Sequence, residues 1–101
     1  MTDEQKWFSI IAFAGESFSL LNEALIAAKK QDFDTAQRLL GDSENILKEA
    51  HHIQNELLEN EINGKSIEFS MLFTHAQDHL MNVILAQNIY RELIELQHNK
   101  H

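Results

Sequence analysis

The chain has 101 residues, no proline and only three glycines, so little in it interrupts a helix. Proline removes a backbone donor and clashes with the preceding turn, and glycine weakens a helix interior. Their scarcity, with abundant Ala, Leu, Glu, Gln and Asn, predicts an all-α fold. Three long stretches repeat apolar residues at alternating spacings of four and three, which gathers them on one helix face. The first seam reads Trp7, Ile11, Ala14, Phe18, Leu21, Leu25 and Ala28, behind a capping box of Thr2 and Gln5. Phe8 and Phe13, with Trp7 and Phe18, are expected in a core or an interface. The second seam reads Ala36, Leu39, Ser43, Ile46, Ala50, Ile53 and Leu57, with Asp32 as its cap and Asp34 in its first turn. Gly41-Asp42 is a weak point in its middle, but the seam keeps phase across it.

Asn63-Gly64 is the clearest turn, and Ser66 suits the cap of a third helix running from Ile67 to about His98. The expectation is one domain over residues 1–101, with helices near 3–30, 33–62 and 67–98. Short connections make these antiparallel neighbours in a three-helix bundle. Helix three carries two seams where a bundle needs one. Leu72, Ala76, His79, Val83, Ala86, Tyr90 and Leu93 form the first; Met71, His75, Asp78, Asn82, Leu85, Ile89, Glu92 and Leu96 form the second. The second leaves Leu85, Ile89 and Leu96 exposed unless another chain covers them, so self-association through helix three is expected. Polar Asp78 and Asn82 within it resemble the buried polar residues that fix register and stoichiometry in coiled coils.

The formal charge of -8, with eight scattered Lys and Arg residues, argues against nucleic acid. The absence of cysteine excludes disulfides, thiolate catalysis and Cys-zinc sites. The start lacks the basic and apolar regions of a signal peptide, and no apolar stretch is expected to reach membrane-spanning length. A cytoplasmic protein is expected.

Chemistry concentrates in His75-Ala76-Gln77-Asp78-His79-Leu80-Met81. Asp78 and His79 both lie one helical turn from His75. A neutral imidazole near pH 7 is a good nucleophile and can hold a phosphoryl group as a reactive phosphoramidate, needing only in-line access and charge stabilisation. By spacing alone, two histidines at i and i+4 fit such a site and a plain polar helix face equally well.

The heptapeptide closely resembles the IIA component of the lactose/cellobiose-type phosphotransferase system. Ile11-Ala12-Phe13-Ala14-Gly15-Glu16-Ser17, Glu49-Ala50-His51 with Gln54, and Asp32-Phe33 also resemble that family, in its order and over nearly the whole chain. The resemblance implies a homotrimer of three-helix subunits. It implies that His75 takes a phosphoryl group from the phosphocarrier protein HPr and gives it to a cysteine of the IIB component, which would link the chain to the membrane IIC component. It further implies that Asp78 meets its symmetry mates on the trimer axis around Mg²⁺ or another divalent cation, and that Gln77 and His79 line the site. Three carboxylates gathered on an axis need protonation or a cation in any case, and hard oxygen ligands favour Mg²⁺. Thr74 stands where the family has an aliphatic residue, Asn55 where it often has Thr, and Glu16-Ser17 where an Asp is common.

Rival readings are weaker in their residues. A zinc hydrolase helix needs Glu directly after the first His, and Ala76 stands there. A di-iron bundle needs two Glu-x-x-His motifs, and Glu49 with His52 is a single one. His51 reads as a packing or polar-network residue, and His98 and His101 as tail residues. A two-component histidine phosphotransfer domain and a non-catalytic helical trimer remain the alternatives. The transported sugar and the phosphorylated nitrogen are not legible.

Overall fold

The computed structural model of the protein describes residues 2–64 and 71–100. It contains three helices, α1 (Asp3–Lys29), α2 (Phe33–Ile62) and α3 (Met71–Asn99), and no strand among the described residues. The expected start of helix three at Ser66-Ile67 lies outside them. α1 opens with the reciprocal box read from the sequence: the Gln5 amide N–H donates to Thr2 Oγ1 at 3.1 Å, and the Thr2 N–H donates to Gln5 Oε1 at 2.9 Å. Asp3 and Glu4 meet the positive end of the helix dipole. α2 runs without a break through Gly41.

The α1–α2 corner uses a device the sequence did not announce. The Asp32 N–H reaches the Ala27 carbonyl and the Gln31 N–H reaches the Ala28 carbonyl, both at 3.0 Å. This is the pairing of a Schellman stop, whose turning residue adopts left-handed backbone and is usually glycine. Here it is Gln31, at φ 66°. Asp32 then caps α2 by accepting from the Thr35 N–H at 3.3 Å. Hydrogen bonds from Thr35 hold its carboxyl below its ordinary pKa, so the cap is charged at neutral pH and is lost only as pH falls through that lowered value.

α1 occupies the middle of the fold. It packs along both partners, whereas α2 and α3 meet each other sparsely. That position explains where burial departs from the 4-3 seams. Besides Trp7, Ala14, Leu21 and Ala28, α1 fully buries Ile10, Ser17 and Ala24, while Ile11 and Leu25 are only partly buried and Phe18 stays exposed. A helix serving two neighbours needs two adjacent stripes. Ser17 faces α2, and Phe18 touches Tyr90 of α3 edge-on at 5.9 Å. In α2 the buried positions are Leu40 and Leu47 rather than Leu39 and Ile46, and in α3 they are Leu80 and Ile94 rather than His79 and Leu93.

Small residues let α1 approach α2 closely. Ser17 and Ser43 are both fully buried, and each hydroxyl donates to the other's carbonyl at 3.0 Å, with the two Oγ atoms 2.7 Å apart. The pair is satisfied within itself, which removes the penalty of burying a lone hydroxyl. Trp7 meets Phe73 edge-on at 4.7 Å at one end of the bundle, and Phe33 stacks on His98 at 4.2 Å at the other. Tyr90 donates to Asn22 Oδ1 at 2.6 Å between α3 and α1.

One expectation needs correction. α1 is long and apolar enough to cross a membrane by length and composition, so an apolar stretch of that size is present. Part of that stretch, Trp7, Ile10, Ala14, Leu21, Ala24 and Ala28, is buried in the bundle, while Phe8, Phe18 and Ile26 stay exposed.

Because Gln31 bears a Cβ in left-handed backbone, Gln31→Gly is expected to raise the unfolding free energy by about 1 kcal/mol. Urea unfolding of both forms measures this, and an unchanged or lower midpoint would contradict strain at the corner.

Candidate functional site

Ala76 and Leu80 of α3 are fully buried against the bundle, and they set the direction of every neighbouring side chain. At about 100° per residue, His75 falls on the α1 flank of α3, Gln77 on the α2 flank, and Asp78 on the outer face between them. His75 and Asp78 are exposed and His79 is partly so.

The structure brings His75 and His79 together. Their Nε2 atoms lie 3.1 Å apart, with ring centroids at 4.4 Å and planes at 87°. Between two neutral imidazoles this contact needs one donor and one acceptor, so the rings must hold opposite tautomers. If His79 donates, the His75 proton sits on Nδ1 and its Nε2 lone pair points at His79. If His75 donates, its Nδ1 lone pair is open to solvent. Only in the first case does His79 carry a proton on the contacting nitrogen, ready to donate to an oxygen that arrives beside His75.

Gln77 is not brought to His75. It turns to α2, where Gln54 Nε2 donates to Gln77 Oε1 at 2.7 Å. The sequence pointed to both glutamines separately but offered no sign that they pair, because no spacing rule links residues 23 apart on different helices. His51 is exposed and lines a cavity of about 250 Å³ between α2 and α3 with Leu47, Ile84 and Gln87. His52 approaches Glu56 at 3.2 Å, and Lys6 of α1 reaches the same carboxylate at 3.8 Å. Arg91 forms an ion pair with Glu44 across the α2–α3 groove.

Asp78 stands on a stripe that one chain leaves uncovered. Leu85, Ile89 and Leu96 on that stripe are 59%, 49% and 61% exposed, against complete burial for Leu80. The second seam of α3 is thus left largely open by the described residues. Among the described residues, no group of three or more His, Cys, Asp or Glu side chains could hold a metal ion. Within the described residues Asp78 stands as one carboxylate on an open face.

The ring contact has a spectroscopic consequence. At neutral pH, long-range ¹⁵N–¹H spectra should show His75 and His79 in opposite tautomers, and His79→Ala should release the His75 preference. Identical tautomers in the wild type would show that the Nε2–Nε2 bond does not persist in solution.

Residues 5–98 match the family of lactose/cellobiose-specific IIA subunits of the phosphotransferase system. Over 93 residues the chain is 43% identical to the lichenan-specific phosphotransferase enzyme IIA component of Bacillus subtilis, covering 92% of this chain and 84% of that protein. The fold superposes with a TM-score of 0.91 on the crystal structure of the cellobiose-specific enzyme IIA from Bacillus anthracis, at 38% identity, covering 96% of this chain and 90% of that one. It superposes with a TM-score of 0.86 on the chitobiose IIA of Escherichia coli, solved in complex with HPr, at 34% identity, covering 98% and 96%. With three helices in that arrangement and a match that runs through the paired histidines, the chain belongs to the lactose/cellobiose-specific IIA family, the phosphocarrier components of the sugar phosphotransferase system.

Proposed function

We propose that His75 is the phosphoryl carrier. The observation behind this assignment is an exposed imidazole, in contact with a second imidazole, within the heptapeptide that resembles the family's active motif. A lone pair of the neutral ring attacks phosphorus of phospho-HPr in line. The new P–N bond forms as the bond from phosphorus to HPr breaks, and HPr leaves with that electron pair. A thiolate of the IIB component then attacks phosphorus, forms a P–S bond, and returns the electron pair to the His75 nitrogen. His79 supports both steps: its N–H turns from the ring contact to a phosphoryl oxygen, a charge-assisted bond about twice as strong as a neutral one. The HPr complex of the chitobiose relative supports HPr as the donor.

The relatives are named for lichenan, cellobiose and chitobiose, which supports uptake of a β-linked disaccharide of the lactose, cellobiose or chitobiose type. The chain acts in the cytoplasm and reaches the membrane IIC component only through IIB.

The uncovered stripe of α3 supports assembly as a homotrimer. Burying a half-exposed Leu or Ile contributes about 1 kcal/mol each, repeated on three copies. Three Asp78 carboxylates would then converge. At separations near 5 Å each charged pair repels by about 3 kcal/mol for an effective dielectric of about 20. The cluster must take up a proton or a divalent cation such as Mg²⁺, which would neutralise this repulsion.

Incubation with phosphoenolpyruvate, enzyme I and HPr, followed by mass analysis, should show one acid-labile phosphate on the wild type and none on His75→Ala. A phosphate on the variant would overturn the assignment. Native mass spectrometry should show a trimer whose bound cation is lost in Asp78→Asn while the trimer persists. A monomer would end the trimer reading, and an Asp78→Asn trimer that keeps its cation would end Asp78's role as ligand.

A further inference from the structure

Resting on the roles given above to His75 and to α3, we propose that Gln54 is a positioning residue for phosphoryl transfer, acting through Gln77 on the His75 of a neighbouring copy. Residues two apart on a helix do not face each other; His75 and Gln77 are separated by about 200° around α3. Gln77 is also tied to α2 by its bond to Gln54. It therefore cannot serve the phosphoryl group on its own chain's His75.

The two residues lie on opposite flanks of the uncovered stripe of Asp78, Asn82, Leu85, Ile89 and Leu96. In a cyclic trimer with this stripe on the axis, contacts are heterologous, and the His75 flank of each α3 faces the Gln77 flank of the next. His75 and Gln77 differ in height by only about 3 Å along the helix. The site is then shared, with the nucleophile from one chain and an amide from the next.

An amide can present either its oxygen or its NH₂, and phosphoryl oxygens only accept hydrogen bonds. Gln54 decides which is offered. By donating Nε2–H to Gln77 Oε1 at 2.7 Å, it occupies the oxygen and leaves the Gln77 NH₂ as the group to be offered. Among the described residues no acceptor takes that NH₂. Gln54 is partly buried between the helices, where it cannot reach the phosphoryl group itself.

The test uses co-expressed, doubly tagged trimers of His75→Ala and Gln77→Ala chains, with single-turnover transfer from phospho-HPr. If Gln77 acts across the interface, a Gln77→Ala chain recovers when its neighbour is His75→Ala, so roughly half or more of the phosphohistidine should form at the wild-type rate. A single slow phase at the pure Gln77→Ala rate, or a Gln77→Ala homotrimer as fast as wild type, would overturn the proposal. Gln54→Leu, shown to be folded and trimeric, should transfer about tenfold more slowly at saturating phospho-HPr, with the half-saturating concentration unchanged. An unaltered rate, or loss confined to HPr affinity, would remove Gln54 from that role. If the wild type takes no phosphate at all, the failure lies in the reading of His75, a result distinct from a phosphorylated wild type without recovery in mixed trimers.

Discussion

The structure depends on how closely α1 can approach α2. Ser17 and Ser43 meet at full burial with mutually satisfied hydroxyls, and Ala14, Ala24, Ala28, Ala36 and Ala50 are buried in the same core. Small side chains here leave room for α1 to stand between its partners. Its other stripe then receives α3 through Trp7, Phe18 and Asn22. With α1 serving both, α2 and α3 have little to exchange with each other, and one face of α3 has no partner among the described residues.

The open surface around His75 follows from that shortage. A helix enclosed on all sides could not leave an imidazole exposed. α3 instead buries Ala76 and Leu80 and turns His75 outward, with His79 one turn along to hold its ring. The same turn carries Gln77 the other way, to Gln54. The residues of one short motif therefore spread around three sides of the helix. In the proposed trimer, a neighbouring copy would reunite them.

Much of this was legible in advance, for definite reasons. Without proline and with little glycine, helix was the only regular structure the apolar spacing allowed, and the capping box at Thr2 and the cap at Asp32 were readable because both are local. The reading of one register as the core stripe failed where tertiary demands differed. A strict 4-3 seam assumes one neighbour, and α1 has two. In α3 the register placed His79 inward, but the real helix turns Leu80 inward, as burial of the larger apolar side chain favours. That small rotation frees the second imidazole for the first. The corner at Gln31 was hidden because its left-handed backbone is carried by a residue with no preference for it.

The sequence by itself determined the three helices, the surplus apolar face of the third, and the heptapeptide that resembles the family's motif. All of these are set by spacings within a few residues. Only the tertiary structure decided which stripe of each helix became core, that the two imidazoles touch through Nε2, and that Gln77 is held from α2. The core stripes and the Gln54–Gln77 bond rest on how side chains from different helices share one small interior, and the imidazole contact on which rotamers two neighbouring rings of α3 adopt; no local spacing records which of several nearly equivalent faces another helix will cover.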